Sequence, residues 1–385
     1  MKITVITAFP DFFRAFLDTS IVGRAVKNKL LQVSVIDLRN YGEGDYRKID
    51  DYAFGGGGMV LMAEPLAKAL DDLGEGLYVV YPSPQGVTMT QEIVESLSTR
   101  EHLVMICGHY EGVDERLIHS RVDLELSIGD YVLTGGELPA MVVIDAVSRL
   151  IPGVVGKERS VVEDSFYHGM LDTPHFTRPA RWRDQDVPPV LLSGDDGSIE
   201  QWRRHRSVER TLSRRPDLLS RASLMRYLDT GAYVLWYPRE NPRGCELAVV
   251  VDACRAYGVD RLLMPVSDRD DRERLRALVR PNGMDDVVKL FPSIHRATQW
   301  ITSREGQRPF VVGLEDQDES RWISWLEAKR QVLHLRRPPV FAFGDGGEYA
   351  CDVTMCPVSG DDRDRSALPI QNAVSVVLDR FFGWR

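Results

Sequence analysis

The chain has 385 residues, of which 43% are hydrophobic and 27% are charged. This composition is typical of folded globular proteins and excludes a disordered or fibrous chain. Lys and Arg number 48 against 57 Asp and Glu, so the net charge is −9, and any nucleic-acid site must be a local basic patch. At roughly 100–200 residues per domain, the length predicts two or three domains.

The cysteines and the apolar runs indicate a reducing compartment. Five cysteines are scattered and never spaced as C-x-x-C, which argues against a disulfide framework and a structural zinc site. The start of the sequence lacks the long apolar stretch of a signal peptide. No apolar run approaches the roughly 20 residues that span a bilayer. We therefore expect a soluble, cytoplasmic protein without a membrane partner.

The first part of the chain predicts an α/β domain. Strands are expected over 2–8 and 31–38, and the segments 77–86 and 101–112 are each expected to be a strand that ends in a glycine- or proline-rich loop. Residues 10–31 show helical spacing of apolar side chains, and a further helix follows Thr90, a plausible N-cap. Strands that alternate with helices are typical of a mostly parallel sheet.

The texture of the sequence changes further along the chain. Residues 127–156 combine a glycine-rich loop with a helix, whereas 157–193 are polar and rich in proline, as in a linker or lid. Residues 199–219 form a strongly basic predicted helix. Strand-like texture begins again at 231–238, so we place a domain boundary near Arg226.

Three loops at predicted strand ends are rich in glycine and proline. They read YPSPQG (81–86), CGHYEG (107–112) and SIGDYVLTGGELP (127–139). Ligands of parallel α/β sheets bind beyond the carboxyl ends of strands, where glycine lets backbone groups come close. The common dinucleotide, P-loop, zinc-protease and α/β-hydrolase motifs do not occur. The loops together predict a site whose backbone groups bind a nucleotide-like ligand.

These loops, with EDSF at 163–166 and DTPHFTRP at 172–179, closely resemble the bacterial tRNA (guanine-N1)-methyltransferases. The resemblance covers residues 1 to about 220. It implies methylation of N1 of the guanine immediately 3′ of the anticodon, with S-adenosylmethionine as cofactor. It also implies a homodimer with tRNA, and not DNA, as its partner.

The fold class implied is α/β, with a trefoil-knotted SPOUT methyltransferase domain at 1–160, one of the rare knotted folds. An interdomain lid or linker is expected at 161–174, and a small helical tRNA-binding domain at 175–226. Residues 227–385 are similar to a second, α/β SPOUT-like domain, for which we expect an accessory role. Its cofactor loop would be Phe343–Gly347, and its knot segment Leu368–Ala373 carries Gln371 where relatives have Arg.

The resemblance assigns catalysis to Asp164 and Arg149. N1 of guanine must lose a proton, which a carboxylate such as Asp164 can accept as general base. Negative charge then grows on O6, where the guanidinium of Arg149 can stabilise it. Ser165 and Asp172 match positions that contact the target base and order the lid.

The implied cofactor residues lie on the three loops. They are Tyr81, Pro82, Ser83, Pro84, Gly108, Tyr110, Glu111, Ile128, Gly129, Asp130, Tyr131, Val132, Leu133, Gly135, Gly136 and Pro139. Glu111 is also a candidate ligand for Mg²⁺, because hard cations prefer carboxylates. The sequence departs from the family at His109 and Tyr52, where Arg is usual, and in the shortened glycine run 55–58.

The basic helix is the candidate tRNA surface. Arg203, Arg204 and Arg206 lie beside Trp202, with only Glu209 opposing them among nearby residues. Such a cluster in an acidic protein is typical of a phosphate-binding surface.

Two other functions remain open from the sequence. One is a related SPOUT RNA methyltransferase with a different target base, and the other is a catalytically inactive RNA-binding protein. Retention of both Arg149 and Asp164 favours an enzyme over the inactive alternative.

Overall fold

The computed structural model describes residues 1–156, 164–238, 241–314, 322–344, 351–355 and 369–383. The chain divides into two compact units, Met1–Glu163 and Asp164–Arg385. Within the described ranges, every helix is too short or too polar to cross a membrane.

The first unit is built on a parallel sheet. Its strands are β1 (Lys2–Thr7), β2 (Gln32–Asp37), β3 (Asp50–Tyr52), β4 (Met59–Leu61), β5 (Tyr78–Thr88), β6 (His102–Ile106) and β7 (Leu124–Ser127). Its helices are α1 (Arg14–Asp18), α2 (Ser20–Lys27), α3 (Ala63–Asp71), α4 (Gln91–Ser98), α5 (Glu115–Arg121) and α6 (Glu137–Ser148). The parallel sheet has the order β2-β1-β6-β5-β7, while β3 and β4 pair as an antiparallel hairpin. The predicted alternation of strands and helices and the parallel sheet are confirmed.

The central strands are apolar on both faces, which explains their position in the sheet. Leu103 and Met105 of β6 point into one hydrophobic cluster, and Val104 and Ile106 point into another. A parallel strand that is covered on both faces requires such an uninterrupted apolar run. The predicted N-cap Thr90 is also confirmed, since its hydroxyl accepts a hydrogen bond from the Ile93 N–H.

Two predicted elements of this unit were wrong in detail. The expected helix over 10–31 is interrupted, because Thr19 between α1 and α2 is extended (φ −119°, ψ 161°) and Ser20, the first residue of α2, has a left-handed backbone (φ +56°). Strand β5 does not end at 81–86 but bulges between Pro82 and Val87 and then pairs again with β7. Proline lacks the N–H that a sheet ladder needs, and Pro84 falls within the bulge.

The second unit contains a second parallel sheet. Its strands are β8 (Arg181–Trp182), β9 (Gln185–Asp186), β10 (Tyr233–Trp236), β11 (Arg261–Pro265), β12 (Val288–Phe291), β13 (Phe310–Leu314), β14 (Trp322–Ile323), β15 (Pro339–Phe343) and β16 (Val353–Met355). Its helices are α7 (Asp196–Arg214), α8 (Gly244–Ala256), α9 (Arg269–Val279), α10 (Ile294–Glu305), α11 (Trp325–Leu335) and α12 (Ile370–Phe382). The sheet order is β12-β11-β10-β15-β13-β16-β14, and β8 pairs with β9 as a hairpin. Short 3₁₀ helices of the chain lie at Pro10–Phe13, Leu38–Tyr41, Pro189–Leu192, Pro216–Ser220 and Met225–Tyr227.

The basic helix α7 begins and ends earlier than predicted. The Asp195 side chain accepts a hydrogen bond from the Gly197 N–H and caps its start. The helix ends at Arg214 because Pro216 has no N–H to continue it. The expected cofactor loop of the later domain lies outside the described residues from 345 onward, as does Leu368 of the knot segment, whereas Gln371 lies in the first turn of α12.

Residues on both sides of Arg226 share one hydrophobic core. Val208, Leu219 and Leu224 belong to the same buried cluster as Phe341 and Phe381. The predicted boundary near Arg226 therefore falls inside the second compact unit. The predicted domain limits stay predictions.

A buried lysine connects the residues that follow α7 to this core by hydrogen bonds. Lys329 of α11 is fully buried, and its Nζ donates hydrogen bonds to the carbonyl oxygens of Leu219 (2.8 Å) and Ala222 (2.6 Å). A buried ammonium group is tolerated only when it is paired in this way.

Replacing this ammonium should destabilise the second unit. Lys329→Met leaves two buried carbonyl oxygens without their donor, at a cost of about 2–4 kcal/mol in the free energy of unfolding. All seven tryptophans follow residue 164, so tryptophan fluorescence during urea unfolding reports on this unit alone. Lys289→Met is the control, because it makes the same substitution at a lysine whose ammonium contacts the rings of Phe291 and Trp300. Equal midpoints for the two variants would contradict the anchoring role of Lys329.

Candidate active site

Three loops of the first unit converge on one cleft of about 330 Å³. They are the bulge within β5, the loop after β6 and the loop after β7. The volume lies in the range of about 300–1,000 Å³ that small-molecule sites occupy. The cleft lies beyond the carboxyl ends of parallel strands, where ligands of such sheets bind.

Close backbone contact joins two of these loops. The Gly136 N–H donates a hydrogen bond to the Gly108 carbonyl oxygen at 2.9 Å. A Cβ atom at Gly136 would lie 2.7 Å from the Cα of Cys107, and one at Gly108 would lie 2.8 Å from the Tyr81 ring. Real Cβ atoms do not approach other atoms so closely, so the cleft requires glycine at both positions.

The structure brings together the residues that the sequence predicted for the cofactor. Every one of them lines the cleft except Asp130, which is not part of its wall. Sequence reasoning missed several neighbours on the same wall, among them Gln85, Gly112 and Ser127, whereas His109 and Thr134 lie inside the predicted loops. These residues lie within or directly beside the quoted motifs, so reading each loop as a whole would have found them.

His109 is held by a buried carboxylate. Its Nε2 lies 2.8 Å from both side-chain oxygens of Glu137, a residue that is only 2% exposed. The hydroxyl of Thr7 donates a second hydrogen bond to Glu137 at 2.5 Å. Glu137 occupies the first turn of α6, where the helix dipole favours negative charge. The histidine that departs from the family pattern is therefore fixed to the sheet and to α6.

The neighbouring thiol is kept protonated by its surroundings. Burial, together with the nearby charge of Glu137, raises the pKa of Cys107 well above its usual value. A thiol in this state is a packing group beneath the cleft and not a nucleophile.

Glu111 contacts the hairpin that precedes the cleft. Its N–H donates to the Met59 carbonyl oxygen at 3.0 Å, and its side chain packs against Gly58. Across the parts of the chain that the structure describes, no group of three or more His, Cys, Asp or Glu side chains is arranged to hold a metal ion. Glu111 alone does not provide the oxygen donors that a Mg²⁺ site needs, so we derive no step through a metal.

The predicted catalytic residues belong to different units. Arg149 is the C-cap residue of α6 and is exposed in the first unit. Asp164 is exposed at the beginning of the second unit. Their joint role in catalysis stays a prediction.

The predicted substrate residues Ser165 and Asp172 contact each other. The Asp172 N–H donates to the Ser165 hydroxyl at 2.9 Å, and the Asp172 carboxylate lies 2.7 Å from the His175 ring. The same segment is attached to α7, because Ser207 donates to the Leu171 carbonyl oxygen at 2.6 Å. The described part of the predicted lid is thus bonded to the basic helix.

The three arginines predicted to bind tRNA differ in their exposure to solvent and in their ion pairs. Arg203 is exposed and makes no ion pair with any described residue. Arg206 pairs with Glu209 at 2.5 Å and lies 5.7 Å from the Trp202 ring centre. Arg204 is more covered and lies 3.9 Å from Asp229. Arg203 and Arg206 are therefore better placed than Arg204 for contact with phosphate.

The close approach at Gly136 gives a direct test of the cleft. Gly136→Ala should weaken S-adenosylmethionine binding by about tenfold or more, which corresponds to about 1.4 kcal/mol, because the new methyl group forces the two loops apart. Isothermal titration calorimetry measures the affinity. Gly156→Ala is the matched control, since a Cβ atom there meets no atom within 4 Å. Unchanged affinity in the Gly136 variant would count against cofactor binding in this cleft.

Comparison with known proteins identifies two family regions. The model of the tRNA (guanine-1)-methyltransferase (TrmD) family matches residues 1–221. A model of S-adenosylmethionine-dependent RNA methyltransferases matches residues 253–383.

Similar proteins include tRNA (guanine-N(1)-)-methyltransferases from three bacteria. The protein of Ruminiclostridium cellulolyticum is 50% identical over 226 residues, which make up 57% of this chain and 97% of that protein. The protein of Moorella thermoacetica is 52% identical over 230 residues, 58% of this chain and 92% of that protein. The protein of Chlamydia pneumoniae is 50% identical over 219 residues, 57% of this chain and 61% of that protein.

The first family match spans more than half of the chain and includes all three loops of the cleft. The chain therefore belongs to the tRNA (guanine-1)-methyltransferase family.

Proposed function

We propose that this protein transfers the methyl group of S-adenosylmethionine to N1 of the guanine immediately 3′ of the anticodon in tRNA. The observation that carries the proposal is the cleft made by three glycine-rich loops within the region that matches the family. Backbone amides and carbonyls on such loops can bind an adenine edge and a ribose without charged side chains.

The cofactor, when bound, supplies an electrophilic methyl group on a sulfonium centre. The residues of the cleft fit it, because glycine at 108 and 136 brings backbone groups to the cleft wall. The buried Thr7–Glu137–His109 network fixes the loop after β6 and the start of α6. A wall fixed in advance lowers the entropy cost of binding.

Proton transfer from guanine is assigned to Asp164. Its carboxylate accepts the proton from N1 and so makes N1 a nucleophile. Arg149 donates hydrogen bonds to O6 and stabilises the negative charge that grows there. Both side chains are exposed to solvent within their own units, as groups that must meet a macromolecular substrate are.

The substrate's phosphate backbone is assigned to α7. Arg203 and Arg214 are exposed, and Arg206 shares that helix with Trp202, whose ring it contacts. Cations beside an aromatic ring suit nucleic acid, because they combine attraction to phosphate with stacking.

We propose further that the first unit contains the trefoil knot of the SPOUT class and that two copies of the chain assemble in the cytoplasm. Support for the dimer comes from exposed apolar side chains next to the cleft, including Val132 (82% exposed), Leu138 (50%) and Val142 (43%). Leu138 and Val142 are four residues apart on α6 and so share one face of that helix, and adjacent exposed apolar side chains are typical of an interface.

Removal of the general base should abolish methyl transfer. Asp164→Asn retains the shape of the side chain but cannot accept the proton, and we expect a loss of about 10²–10⁴-fold in the single-turnover rate. Binding of S-adenosylmethionine should not change. Asp252→Asn, at a residue 76% exposed on α8, is the control.

The assay maps methylated nucleosides in a tRNA transcript after incubation with the protein. A wild-type rate for Asp164→Asn would refute the assignment of the base. A methyl group on another base would favour the related RNA methyltransferase considered above, and the absence of transfer by the wild-type protein would favour an inactive RNA-binding protein.

The phosphate contacts have their own test. Arg203→Ala together with Arg206→Ala should weaken tRNA binding and reduce the slope of log affinity against log salt by about one unit for each lost contact. Arg280→Ala, an exposed arginine just after α9, is the control. A slope identical to that of the wild-type protein would show that α7 does not bind the phosphate backbone.

A further inference from the structure

The region after Arg226 contacts α7 and the residues that follow α7 through two cations. Lys329 donates to the carbonyl oxygens of Leu219 and Ala222. Arg336, the residue after α11, donates to Glu209 at 3.0 Å and lies 3.0 Å from Nδ1 of His205. Glu209 and His205 both belong to α7.

These contacts continue across α7. His205 also lies 2.5 Å from Asp229, so its ring stands between that carboxylate and the Arg336 guanidinium. Glu209 accepts from Arg206 with one oxygen and from Arg336 with the other. Arg336 and a predicted phosphate-binding arginine therefore share one carboxylate.

The segment that follows α7 is attached to the last helix as well. The Leu224 N–H donates to the Phe381 carbonyl oxygen at 2.9 Å, and the Ser223 hydroxyl donates to the Phe382 carbonyl oxygen at 2.7 Å. Val208 of α7 is buried in the same core as Phe381.

This packing decides which face of α7 meets solvent. Val208 and Thr211 are buried on one side, whereas Arg203, Arg206 and Arg214 are exposed. A helix that is fixed by a buried side and by charged contacts presents its remaining side in one orientation. The basic side is then organised before any RNA binds.

We propose that the region after Arg226 holds the basic helix in its RNA-binding orientation and that Arg336 is a positioning residue for tRNA. The proposal rests on the proposed function, since it assumes that α7 binds the tRNA phosphates. It gives the additional region a part in substrate binding that requires no methylation by that region itself.

The test uses the full chain with Arg336→Ala, Arg336→Lys and, as matched control, Arg330→Ala. Arg330 is exposed on the same helix and pairs only with Glu327, at 3.4 Å, among the described residues. Three quantities are measured: amide hydrogen exchange of α7 without RNA, kcat and KM for tRNA, and the affinity for S-adenosylmethionine.

Arg336→Ala should speed exchange in the second half of α7 and raise the KM for tRNA, each about two- to fivefold, as expected for a half-exposed ion pair. The kcat at saturating tRNA and the cofactor affinity should stay at wild-type values. Arg336→Lys should recover part of the KM, because it can still pair with Glu209. Arg330→Ala should change none of these quantities.

Unchanged exchange in α7 would overturn the proposal. If KM rose while exchange stayed at the wild-type level, Arg336 would be a direct RNA contact and not a positioning residue. The exchange measurement needs no tRNA, so it decides the positioning role even if the wild-type protein fails to methylate tRNA.

Discussion

The cleft depends on how closely two backbone segments approach each other. Gly108 and Gly136 are joined by a hydrogen bond in a space that has no room for a Cβ atom on either residue. This contact brings the loop after β6 against the start of α6, and the third loop then closes the wall around a small-molecule volume. A site formed largely by backbone has few side chains that reveal its chemistry, which is why glycine and proline are its main sequence signal.

The second constraint is the shared core of the second unit. The region matched by the first family ends at residue 221, but the buried cluster continues from Val208 and Leu219 into Phe341 and Phe381. Family boundaries follow sequence similarity, whereas compact units follow contacts, and here the two do not coincide. Helix α7 belongs to the first family region by sequence similarity and to the second compact unit by packing.

The sequence predicted features that local patterns determine. The parallel sheet of the first unit, the Thr90 cap and the convergence of three loops follow from strand–helix alternation and from glycine at strand ends. The proposed catalytic roles came from family resemblance, because an isolated Asp or Arg carries no pattern of its own. The break at Thr19 and Ser20 could not be predicted, since one extended and one left-handed residue leave the apolar periodicity intact on both sides.

Long-range polar contacts could not be predicted from the sequence either. Thr7 and Glu137 are 130 positions apart in the chain, and Lys329 and Leu219 are 110 apart, so no spacing rule connects them. Lysine is also the residue least expected in a core. Only the three-dimensional packing brings its ammonium to two carbonyl oxygens.

The shared core has a consequence for the history of the chain. When two modules bury parts of their surfaces in a common core, the side chains of each pack against the other. Substitutions in one module then select for compensating substitutions in the other. The buried ammonium of Lys329 adds to this dependence, because its carbonyl partners lie in the other module. Deleting the added region would leave Val208, Leu219 and Ala222 facing water. A fusion of this kind is easily kept and hard to reverse.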